Sequence, residues 1–106
     1  PTIAYLFATL AGVSKVGSVS HSGSTDVNCG FSAGARFVMA KRTSGVGGWY
    51  IWDSTRGIVS GNDPYLQADI SSGSETTNTD LIDPLASGFT LTSSFTAGTY
   101  LFLAIA

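Results

Sequence analysis

The apolar positions of this chain fall in short clusters separated by glycine-rich or polar punctuation, and the clusters carry β-branched and aromatic residues. That is the pattern of β-strands. Residues 3–10 (IAYLFATL) form the first cluster and read as a strand, followed after Gly12 by 14–19. The polar stretch 20–28, which holds His21, reads as a loop. Residues 35–42 (ARFVMAKR) and 49–53 (WYIWD) read as two strands of a hairpin, because the three glycines in 43–48 (TSGVGG) permit positive φ. The second of these is aromatic on both faces, so it is expected to be central and covered on each side.

The middle of the chain is weaker in signal. Residues 56–60 and 65–70 are candidate short strands around a GNDP turn at 61–64. Residues 71–80 (SSGSETTNTD) contain no apolar side chain and are expected to form an exposed loop. Pro84 makes 81–87 irregular or a single short turn. Residues 88–92 (GFTLT) alternate, with Phe89 and Leu91 inward, and the apolar run 98–106 (GTYLFLAIA) is expected to dock into a sheet. Seven or eight strands at this spacing predict an all-β domain, a β-sandwich or jelly roll. At 106 residues it is a single domain, 1–106, able to bury about two-thirds of its unfolded surface.

Composition narrows the picture. Charged residues are 11% of the chain, whereas Gly, Ser and Thr supply 40 of 106 positions. The surface is therefore neutral and polar rather than salt-bridged. The formal charge of −2 is uneven: residues 1–56 carry a net +3 and residues 57–106 a net −5. Three spare positive charges are too few to grip nucleic acid. The halves are expected to interleave and mix their charges, the alternative being head-to-tail attraction between subunits. Cys29 is the only cysteine, which excludes an intrachain disulfide and leaves it as a small buried apolar group. No apolar run is long enough to span a membrane, so no membrane insertion is expected.

Candidate chemistry is sparse. His21 is the single histidine, and no G-x-S-x-G elbow accompanies it, so no catalytic residue is expected and His21 reads as a solvated loop residue. Asp63, Asp69, Asp80 and Asp83 could offer oxygen ligands to calcium, but no D-x-[DN]-x-[DN]-G loop is present, and no cofactor is otherwise implied. The densest feature is aromatic. Trp49, Tyr50, Trp52 and Tyr65 lie within seventeen residues, with Arg56 close by. They are either a ligand-binding platform of the kind that stacks on sugar rings, or a core in which Trp49 and Trp52 occupy opposite faces of one strand. Arg56 is expected to pair with Asp53, cap carbonyls or stack on a ring.

One echo links the two ends: Tyr5-Leu6-Phe7-Ala8 recurs as Tyr100-Leu101-Phe102, with Ala104 close behind. Either the two segments are neighbours in one sheet, or residues 1–10 are the last strand of a preceding unit in a longer chain.

The blocks 29–42 (CGFSAGARFVMAKR), 48–57 (GWYIWDSTRG) and 61–66 (GNDPYL) resemble a repeated element of bacteriophage virion proteins, tail-fibre proteins above all. The segments 87–92 (SGFTLT), 98–106, 4–8 and 12–18 extend the resemblance over nearly the whole chain. It implies a concanavalin-like or jelly-roll sandwich without enzymatic activity, located in the virion. It implies assembly into a homo-oligomer, a trimer by preference, alongside other virion proteins. The function implied is host attachment, with capsid decoration or glycan binding, including host surface polysaccharide, as alternatives.

Overall fold

A computed structural model describes residues 1–71 and 75–106. The chain is all-β, as the pattern of apolar clusters predicts, and folds into two antiparallel sheets. The larger contains β1 (Ser14–His21), β8 (Gly98–Ile105), β3 (Phe37–Arg42), β4 (Trp49–Asp53) and β5 (Leu66–Gln67), in that order. The smaller contains β2 (Thr25–Asn28), β7 (Gly88–Leu91) and β6 (Ile82–Leu85). β1 pairs with β8 and β2 with β7, so early and late strands nest as in a jelly roll. The nesting stops there, because β3–β4 and β6–β7 are local hairpins.

The core lies between the sheets. Val38, Ala40, Trp52, Tyr100, Phe102 and Ala104 enter it from the large sheet, and Val27, Ile82, Phe89 and Leu91 from the small one. Phe31 and Phe95 close it from loops. The glycines at two positions are there for want of space. The Phe102 ring rests on Gly17, where a Cβ would stand 3.1 Å from it. A Cβ on Gly88 would lie 2.0 Å from the Val27 carbonyl oxygen, so β2 and β7 can approach only because Gly88 has none.

Several sequence expectations are corrected. Residues 3–10 are not a strand of this domain: residues 1–9 have no regular structure and lie exposed, and only Leu10 bridges back to Ser14. They do not pair with the free edge of β1 beyond the Leu10–Ser14 bridge. Residues 20–28 are not a loop: β1 runs to His21, and β2 follows after a tight bend. β2 escapes a hydrophobicity reading because it is an edge strand with a single core residue, Val27, among polar ones. Residues 81–87 contain a true strand, β6, despite Pro84. β6 is also an edge strand, where a missing N–H costs no ladder bond. Residues 56–60 form no strand, and β5 is only Leu66–Gln67. The 71–80 stretch partly lies outside the described residues, but Thr76 pairs with Tyr65 and is not a free loop position.

Candidate functional site

The inner face of β4 meets the core, as expected, but its outer face is open. Register explains how. Alternation sends Val16 of β1, Leu103 of β8, Met39 of β3, Ile51 of β4 and Leu66 of β5 to the outer side, and the pairing aligns all five in one row across the sheet. The next row carries Leu101 and Trp49 on either side of Lys41, and the row on the other side carries Ile105 beside Phe37. Antiparallel sandwiches normally show polar residues on the outer face. Here Leu101 is 48% exposed and Trp49 39%.

The N-terminal arm reaches over this face. A tight turn reverses the chain, with the Val13 and Ser14 N–H groups both donating to the Leu10 carbonyl at 2.9 Å. The Thr9 hydroxyl accepts from Val16 N at 3.1 Å, and Ser14 Oγ donates to Ala8 O at 2.8 Å. Beyond Ala8 the arm is held by little. Tyr5 and Phe7 form one wall of a groove of about 660 Å³ whose other walls include Val16, Met39, Trp49 and Leu101. The arm still presents Ile3 at 78%, Tyr5 at 80% and Leu6 at 92% exposure. The echoed Tyr100 and Phe102 do the opposite and point into the core. The two copies of the motif are therefore not neighbours in a sheet, and they do different work.

The aromatic residues divide along the same line. Trp52 has no exposed surface, so its ring offers no face to a ligand. It stacks on Tyr50 at 5.6 Å and meets Phe95 edge-on at 5.8 Å. Tyr50 touches Tyr65 at 5.0 Å and Phe95 at 5.2 Å, and Phe95 continues to Tyr100 at 4.6 Å. This chain of rings is the core. Burial, with the neighbouring Tyr65 and Asp69, pushes the Tyr50 phenol up from its ordinary range. Of the expected platform residues, Trp49 alone lies on the outer face, because three positions along a strand reverse the side. Arg56 pairs with Asp53 in the turn after β4 and with Glu75 at 2.8 Å, crossing from the basic half of the chain to the acidic half. Asp53 also accepts the Arg56 backbone N–H at 2.8 Å, and these contacts hold its carboxyl below the usual range.

His21 is not a solvated loop residue. It ends β1 with 2% of its surface exposed, packed against Phe95 and Tyr100. Nε2 lies 3.1 Å from the Phe95 carbonyl, which can only accept, so Nε2 carries a proton. Nδ1 pairs with the Thr25 hydroxyl at 2.8 Å. Both ring nitrogens are thus engaged by the fold. The residues that sequence reasoning missed are those of the outer row and the exposed arm. The signal was present in the two-residue alternation of β8, where Leu101 and Leu103 are as apolar as Tyr100 and Phe102.

A family described as a domain of unknown function, DUF7483, matches residues 1–106. The chain belongs to this family. No curated protein and no solved structure matches it. The family's description carries no activity.

Proposed function

We propose that this domain is a non-enzymatic structural unit of a bacteriophage virion, of the tail-fibre or surface-exposed tail kind, that assembles with copies of itself and serves host attachment. The observation that carries the assembly is the apolar outer face of the large sheet, where Val16, Trp49, Leu101 and Ile105 are exposed around the row Val16–Leu103–Met39–Ile51–Leu66. Contiguous exposed apolar surface marks an interaction site. A second copy suits it because each chain also brings an apolar arm that its own fold leaves uncovered. Arm on neighbouring face is a self-complementary arrangement, and it repeats from copy to copy. A trimer is the expected order. The sequence resemblance of 29–42 and 48–66 to tail-fibre proteins supplies the setting. The low charge fits it, since neutral surfaces pack together without ion-pair desolvation.

The burial of His21, the single histidine, away from any substrate supports the reading as a protein without catalysis. Glycan binding has only Trp49 as an exposed ring of the four aromatics, and that ring sits on the proposed interface. The test of assembly is solution mass at about 100 µM, by sedimentation or light scattering. The native chain is expected to be oligomeric, and L6D and L101D monomeric with unchanged circular dichroism. A monomeric native chain at that concentration refutes the proposal. Immunogold electron microscopy of particles then separates a tail position from capsid decoration.

A further inference from the structure

Three carboxylates from separate stretches of chain meet beside β6. Asp83 lies in β6, Asp80 two residues before that strand, and Asp63 comes from the GNDP segment at 61–64, its own N–H donating to the Thr79 carbonyl at 2.8 Å. One carboxylate oxygen from each lies within 4.8 Å of the others. That spread matches oxygens placed around a single cation at about 2.4 Å.

Burial makes the arrangement more than an acidic patch. Asp63 has no exposed surface. Its Oδ2 accepts the Val59 N–H at 2.7 Å, whereas its Oδ1 is buried without a hydrogen-bond partner. The Oδ1 atoms of Asp80 and Asp83 are likewise buried and unpartnered, as is the hydroxyl of Thr79 next to them in sequence. Among the described residues the ion pairs are those of Arg56 with Asp53 and Glu75, so no basic side chain neutralises the three acids. Buried charge without a partner is among the most costly features a fold can hold. Burial foremost, with the Asp80 and Asp83 charges adding to it against hydrogen bonds from the Val59 and Ile82 backbone, pushes the Asp63 carboxyl up to about 6. Either a shared proton or a cation must relieve that repulsion.

We propose that Asp63, Asp80 and Asp83 form a binding site for a hard divalent cation, calcium in preference to magnesium. The donors are all oxygen, which excludes the soft metals that want sulfur or imidazole. They come from an edge strand and two loop segments rather than a rigid octahedral cage, which suits calcium's looser geometry. A bound ion would tie the 59–63 segment to the start of β6. Asp69, grouped with these acids on sequence alone, is not part of the site: its Oδ1 accepts the Trp49 N–H at 2.9 Å.

The experiment is calorimetric titration and thermal unfolding of the chelator-treated chain with calcium chloride or magnesium chloride alone. One calcium per chain is expected, with a dissociation constant on the order of 10⁻⁴ M and a rise in Tm of several degrees at millimolar calcium. D63N keeps the shape of the side chain and the acceptor for Val59. It is expected to fold, to be more heat-stable than the native chain in chelator, and to lose the calcium shift. D83N is the second variant, and D69N the control that retains the shift. The proposal is overturned if the folded native chain shows neither heat nor a Tm shift up to about 10 mM calcium. Calcium affinity within about threefold of native in both D63N and D83N overturns it equally, and an equal response to magnesium overturns the assignment to calcium.

Discussion

Trp49 and Trp52 offer a direct comparison, because they are the same residue type three positions apart on one strand and face opposite ways. Trp52 is wholly buried among Tyr50, Tyr65 and Phe95. Replacing it with alanine removes the centre of the aromatic core, at a cost of about 4 kcal/mol. A domain of this size has about 5–15 kcal/mol in all, so W52A should fold marginally, with Tm lowered by about 15 °C or more. Trp49 differs because 39% of it is exposed on the outer face. On a residue of about 250 Å² that leaves about 100 Å² to be covered by a neighbouring copy, or about 2.5 kcal/mol per copy at 25 cal/mol/Å². W49A should therefore weaken self-association about 60-fold while costing the isolated domain far less than W52A. Thermal unfolding at low concentration measures the first quantity, and sedimentation over a concentration series the second. The reasoning fails if W49A lowers the Tm as much as W52A, or if W49A leaves association unchanged in a chain that does associate.

Three further outcomes follow from single positions. G88A should lose more than about 3 kcal/mol or fail to fold, because its methyl group would meet the Val27 carbonyl at 2.0 Å and neither backbone can yield without breaking the β2–β7 ladder; denaturant titration reads the loss. Burial pushes the Cys29 thiol up to about 11, against an opposing pull from Lys15, so at neutral pH its ionisation alone should slow thiol-reagent labelling about 100-fold relative to an ordinary cysteine; labelling as fast as a free thiol would contradict this. Asp53 has a depressed carboxyl in the folded state, so its stabilising contribution is complete above the unfolded value of about 3.9 and is lost as pH falls through the lower folded value. D53N should accordingly lower the Tm modestly at pH 7 and have no effect once the pH lies below that folded value.

The fold class was legible in the chain because core strands carry their own signature. β3, β4, β7 and β8 alternate or run apolar over enough residues for period and length to agree. β2 and β6 were not legible, since an edge strand with one or two core residues is held by the ladder of its neighbour and not by its own hydrophobicity. Pro84 misled for the same reason: it argues against a central strand and is neutral at an edge. The 3–10 segment failed in the opposite direction. It has the composition of a strand, but composition cannot say whether the segment pairs with a sheet edge of its own chain.

Function divides similarly. The sequence by itself determined that the domain is all-β, weakly charged, free of disulfides and rich in aromatics near β4. Only the tertiary structure decided which face each aromatic takes, because the parity of a strand position is meaningless until its register against neighbours is set. It also decided that His21 is a core residue and that Asp63, Asp80 and Asp83 share one buried point while Asp69 does not. Those acids lie up to twenty residues apart in the chain. Nothing local brings them together; the docking of the 59–63 segment on the Thr79 carbonyl, just before β6, does.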